Sequence, residues 1–394
     1  MLPIIEQSPR ESSFYENPFP FYEKLRETGP IVIWRDFNIP VTADYNLVNQ
    51  ILRDKKFGRQ PPKGFFFNIP QRLFPFYENE SRSILELDPP AHTKLKSIAL
   101  HGFTAKRLKF LEKEINELAC CLLENIKDCK FDLIKEFSER FPVIIITRLL
   151  GVPEDMAPQL LNWSHKMVAM YQARRNREIE DEAVQATLEF SQYLDELISF
   201  KKKHLDEDLI SNLINAKLGE IKLSNDEIIS TVILLLNAGH EATVHTISNA
   251  VKTILEEKIP ITEIQNNKIT LTEEILRYNT PLHMFSRYAK MDVEIANHKF
   301  EAGSRIGLLL AAANRDKKVF TEPNKFDPNR KEKSQLSLGA GIHFCLGAQL
   351  ARLELKIAIP LIFKKFPNMT LGENIEYQDN YHFYGLKALP IELK

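Results

Sequence analysis

The pattern of apolar and polar positions along the chain is helical over most of its length. The longest periodic run extends from Ser224 to Glu257, and its first half, Ile228 to Leu236, is apolar on nearly every side. A helix apolar all round is a buried one. Ser224-Asn225-Asp226-Glu227 opens the run as a capping box with carboxylates in the first turn, and Pro260 ends it. At about 1.5 Å per residue such a helix spans roughly 50 Å, enough to cross a whole domain. Upstream, the pattern predicts a helix over Phe21–Thr28, short strands at Ile31–Trp34 and Ile39–Thr42, and a helix over 45–54. Between Arg59 and Glu80 it breaks into a proline- and phenylalanine-rich loop. A helix starting around Pro89-Pro90, another over Thr104–Lys127, a strand at Phe131–Ile134 and richly charged helices over 154–203 follow. Later come a helix over Thr272–Tyr278, hairpin strands over 291–310, and an amphipathic helix from Ala348 in which Pro360 predicts a kink. The fold class is mainly α with a smaller β-rich portion.

Composition narrows the class of protein. The chain has 394 residues, 44% hydrophobic and 27% charged, with a formal net charge of −1. That balance suits a sizeable core and gives no basic stripe for nucleic acid. No Pro/Gly/Ser linker divides the chain, so one domain over residues 1–394 is expected. Cys120, Cys121, Cys129 and Cys345 form no CxxC pair or even framework, which suits a reducing compartment. The N-terminus carries a charge by Glu6 and no long apolar run, so a cytoplasmic protein without a membrane anchor is expected.

Two stretches break local rules. Asn237-Ala238-Gly239-His240-Glu241-Ala242-Thr243 places a glycine and a carboxylate inside an otherwise apolar helix. The glycine costs about 1 kcal/mol against alanine, and a buried carboxylate costs more unless paired. Such conflicts mark functional sites. The second stretch, Leu338-Gly-Ala-Gly-Ile-His-Phe-Cys-Leu-Gly347, has glycines at 339, 341 and 347, His343 and Cys345 directly before a helix. Glycines permit positive φ and close backbone approach, and a helix entrance favours a thiolate over a thiol. A thiolate held this way suits an iron porphyrin as proximal ligand, with His343 placed to donate to a propionate. A glycine-rich turn around a structural cysteine is the plain alternative. The spacing Gly-x-Gly-x-His-x-Cys-x-Gly stands against it.

At these residues the chain resembles the cytochrome P-450 family of haem-thiolate monooxygenases, and further motifs in the expected order extend the resemblance over nearly the whole length. The resemblance implies the P-450 fold, with the long central helix crossing the domain over a haem b (iron protoporphyrin IX). It implies Cys345 as the iron ligand in a cradle of Leu338, Gly339 and Gly347, with Leu338 standing where the family has Phe. His92 and Lys96 match the family's Asp-Pro-Pro-x-His-x-x-x-Arg, Lys96 replacing the Arg, and with Arg287 and His343 they are implied haem anchors. A lysine keeps the charge and loses the bidentate fork. Ala238 is implied to lie beside the haem, and Glu241 falls on the acid of the family's acid–alcohol pair. Ala242 takes the alcohol's place, and Thr243 is turned from it by about 100°. Glu274 and Arg277 match the structural Glu-x-x-Arg pair, with Lys325 standing for the usual third basic group and Arg330 nearby. Phe65, Phe66, Phe67, Leu282, Met284, Phe285 and Tyr384 are candidates to line the substrate pocket, whereas His283 reads as a satisfied loop histidine.

The implied function is insertion of one atom of O2 into an apolar small molecule by a monomer. Ferredoxin and a ferredoxin reductase would supply electrons, since no flavin or nicotinamide segment is fused on. Lys94, Lys106, Arg107, Lys331 and Lys333 are the implied docking patch. A peroxide-driven peroxygenase and a non-catalytic haem-thiolate sensor are the alternatives. The missing alcohol leaves the peroxygenase open, and the retained Glu241 argues against it.

Overall fold

The structure is a computed structural model that describes residues 2–65, 68–100, 105–172, 175–218 and 221–393. Its contacts divide into two compact units: Met1–Phe66 with Asn116–Ser138 and Ala242–Lys394, and Phe67–Ile115 with Glu139–Glu241.

The first unit holds the main sheet of six strands, in the order Ile4–Ile5, Val32–Trp34, Ile39–Thr42, Arg305–Leu309, Met284–Ala289 and Phe57–Gly58. Its centre is the antiparallel pairing of Arg305–Leu309 with Met284–Ala289, while Arg305–Leu309 runs parallel to Ile39–Thr42. Gly307 belongs there because a Cβ would lie 2.9 Å from Val41 and 3.0 Å from the Met284 sulfur. One apolar cluster gathers Ile51, Ile306, Leu308 and Phe320; another gathers Phe14, Tyr22, Trp34 and Leu309. A second sheet joins Met369–Leu371, Pro390–Leu393 and Lys130–Asp132, so the C-terminus is tied to the middle of the chain.

The second unit is helical. Ala157–Val168 and Arg177–Lys201 pack together, Trp163 stacking on Phe190 at 5.0 Å. Arg140–Leu150 ends at Gly151, whose φ of 75° is left-handed and whose absent Cβ leaves room for Asp208.

The longest helix, Asn225–Glu256, begins as the sequence predicts: the Ser224 amide donates to Glu227 (2.9 Å) and the Glu227 amide to the Ser224 hydroxyl (3.2 Å). The phenylalanine-rich stretch is not all loop. Phe74–Ser81 is a helix with Pro75 in its first turn, where no N–H donor is needed, and Phe76 is buried. The strand expected at 131–134 is Lys130–Asp132, followed by a π-helical turn. Ala348–Lys365 continues as helix through Pro360, whose carbonyl accepts from the Gln265 side chain at 2.8 Å.

Candidate active site

The cysteine loop belongs to the first unit. Gly339 and Gly341 have φ of 70° and 68°, and a Cβ on Gly341 would lie 2.4 Å from the Leu52 carbonyl oxygen, a backbone atom that cannot yield. A 3-10 turn over Gly341–His343 follows, and the Cys345 amide donates to the Leu338 carbonyl at 2.9 Å, closing the loop. The helix starts at Ala348, so half-buried Cys345 precedes its first turn, where unbonded amides and the dipole favour a thiolate.

Behind this loop is a buried ionic knot. Arg277 donates through Nε and Nη2 to both oxygens of Glu274 (2.7 and 2.8 Å), and Arg330 Nε donates to the same carboxylate at 3.0 Å. Lys325 is therefore not the third basic group: its side chain is exposed and faces Glu322 at 3.7 Å. Only its carbonyl joins the knot, accepting from both arginines. The reason is the donor count. Arg330 also satisfies the Thr321 and Glu322 carbonyls, which a guanidinium fork reaches together and an ammonium does not. Arg277 further donates to the Asn314 carbonyl, and the Asn314 side chain bonds the Leu336 amide and Ser337 hydroxyl. The knot thus anchors the residues leading into Leu338.

On the strand past Pro281, Arg287 is buried and donates to the Ser286 carbonyl at 3.0 Å. Phe285 lies under two guanidinium groups, Arg59 at 4.4 Å and Arg287 at 4.8 Å. Leu282 and Met284 are half-buried. His283 is only half satisfied: its Nδ1 lies 2.8 Å from the Tyr22 hydroxyl, while its buried Nε2 has no hydrogen-bond partner among the described residues. Burial, with the charge of Arg315, pushes its pKa down to about 3, so it is neutral. Tyr384 stacks on His283 at 4.7 Å and donates its hydroxyl to the Glu16 carbonyl. Phe65 is half exposed and lies against Gly303; Phe66 and Phe67 lie outside the described residues.

In the second unit, the helix Ala91–Ala99 carries buried His92 and half-buried Lys96. Along the long helix, Leu234, Ala238 and Ala242 are spaced four apart and stay open on a helix otherwise mostly buried. Glu241 Oε1 lies 3.3 Å from His165 Nε2 and 3.7 Å from His240 Nε2. Thr243 turns elsewhere: its hydroxyl donates to Glu354 at 3.4 Å, within the first unit. Burial pushes the Glu354 carboxyl up to about 8. Sequence reasoning missed His165 and Glu354, which meet their partners only through packing between distant helices.

A family-wide sequence model described as Cytochrome P450 matches residues 9–267 and 251–393. The chain belongs to the cytochrome P450 family. It is 32% identical over 397 residues to the biotin biosynthesis cytochrome P450 of Bacillus subtilis (strain 168), covering 98% of this chain and 99% of that one. The polyketide biosynthesis cytochrome P450 PksS of the same strain is 31% identical over 405 residues, covering 98% of each. Among solved structures, P450BioI in complex with hexadec-9Z-enoic acid ligated acyl carrier protein matches with a TM-score of 0.91 at 31% identity, covering 97% of this chain and 100% of that one.

As a P450, the chain is a haem b monooxygenase that takes electrons from a redox partner and acts on O2. Its residues fit the haem. Within the first unit, Cys345 offers a soft sulfur ligand directly before a helix, and Arg287 is a buried cation of the charge that a propionate calls for. Among the described residues, no helix is long and apolar enough to cross a membrane.

Proposed function

We propose that residues 1–394 act as one P450 domain that inserts one atom of O2 into an apolar small molecule, with electrons from ferredoxin and its reductase. The observation that carries this reading is the Cys345 loop, closed on Leu338 and seated before a helix. When bound, the haem supplies the one-electron and O2 chemistry, which a proximal thiolate favours. Cys345 holds the iron, with Leu338, Gly339 and Gly347 around it, and His92, Lys96, Arg287 and His343 neutralise the propionates. Glu241 receives protons and passes them on. Because Ala242 carries no hydroxyl, a hydroxyl of the substrate, or a water it fixes, completes that relay. Leu282, Met284, Phe285 and Phe65 face the substrate. The acyl-carrier complex of P450BioI supports including carrier-tethered acyl chains in the apolar substrate class.

The test is the reduced protein under carbon monoxide, which is expected to show the strongly red-shifted Soret band of thiolate-bound haem. Cys345→Ser retaining that band overturns the ligand assignment. Spectral titration with free and carrier-bound fatty acids, terpenes and steroids then finds the substrate class.

A further inference from the structure

We propose that His165, His240 and Glu241 form a binding site for a zinc-type divalent ion. All three lie in the second unit: His165 on Ala157–Val168, the other two consecutive on the long helix. Their donor atoms lie within 4.8 Å of one another. His165 Nε2 and His240 Nε2 are 3.3 and 3.7 Å from the same carboxylate oxygen. A tetrahedral ion with nitrogen and oxygen ligands at about 2.0–2.1 Å holds its donors roughly 3.4 Å apart. Both separations to the carboxylate are close to that edge, and rotation of the half-exposed His165 ring closes the third.

The local chemistry agrees. His240 Nδ1 is 3.3 Å from the Leu236 carbonyl, a contact that places a ring proton on Nδ1 and makes Nε2, which faces Glu241, the ligand atom. His240 and Glu241 are held in a buried helix, while the His165 side chain, 47% exposed, gives the ion a path from solvent. Two imidazoles and one carboxylate select zinc, copper or nickel ions over magnesium and calcium, which take oxygen ligands. An ion seated there occupies the Glu241 carboxylate and stops proton delivery. That consequence rests on the reading of Glu241 given above; the binding itself does not.

The experiment is equilibrium dialysis of haem-loaded protein against buffered zinc chloride, in a Cys120→Ser/Cys121→Ser/Cys129→Ser background that removes competing thiols. One zinc per chain is expected, with a zinc-edge X-ray absorption spectrum showing only nitrogen and oxygen ligands. His165→Ala is expected to weaken binding at least tenfold, and its carbon monoxide band reports that it is folded. No stoichiometric zinc in the parent protein, or unchanged affinity in His165→Ala, overturns the site. Zinc that binds as expected without slowing ferredoxin-driven turnover supports the site and overturns the role given to Glu241.

Discussion

Glu354 shows how burial alone sets the chemistry of a residue. Its carboxyl, ordinarily near 4.5, is pushed up to about 8 by burial, against the opposing pull of the Thr243 hydrogen bond. Above pH 4.5 the unfolded chain has released this proton while the folded chain holds it until about pH 8. The folded state binds more protons across that window, so this group lowers stability as pH rises through it. Glu354→Gln is expected to flatten the fall in urea midpoint between pH 5 and 8, a difference of a few kcal/mol at most. The same contact engages the Thr243 hydroxyl, so Thr243→Ala is expected to leave the ratio of product to NADH consumed nearly unchanged. Ala242→Thr is expected to raise that ratio with substrate analogues lacking a hydroxyl. Strong uncoupling in Thr243→Ala would make Thr243 the working alcohol.

Among the elements, the helix Lys268–Tyr278 presents the most sharply defined energetic case. Glu274 there is 2% exposed and accepts from two guanidinium groups. Removing one partner of a buried pair strands charge in a low dielectric, which costs about 3–5 kcal/mol. Arg330→Ala is expected to lose that much and to weaken haem retention, because the knot continues through Asn314 to Leu336. Lys325→Ala, at an exposed side chain, is expected to stay within about 0.5 kcal/mol. Chemical denaturation of both variants checks the contrast, and equal losses would return Lys325 to the knot.

At the scale of the whole molecule, a formal net charge of −1 leaves steering to local patches. Lys94 is not a free member of one, since it pairs with Glu227 at 2.7 Å. The side chains of Lys106 and Arg107 lie outside the described residues, whereas Lys331 and Lys333 are exposed. If these two steer an acidic ferredoxin, kcat/KM for ferredoxin is expected to fall as ionic strength rises, and a Lys331→Glu/Lys333→Glu variant to fall several-fold further at low salt. A salt-independent kcat/KM would remove them from the docking surface.

The sequence by itself determined the features that depend on neighbours along the chain. These are the long buried helix with its capping box, the glycines that let the cysteine loop turn, and the position of Cys345 before a helix. Each follows from local backbone energetics and spacing, and together they sufficed for the haem-thiolate reading. Periodicity misjudged Phe74–Ser81 because a first-turn proline looks like a breaker. Only the tertiary structure decided that Arg330 rather than Lys325 meets Glu274, that Thr243 faces Glu354, and that His165 reaches Glu241. Those partners are separated by 56, 111 and 76 residues, and what selects them is desolvation. A buried charge or hydroxyl takes whichever donor the packing of helices brings within reach, and no local pattern encodes that choice.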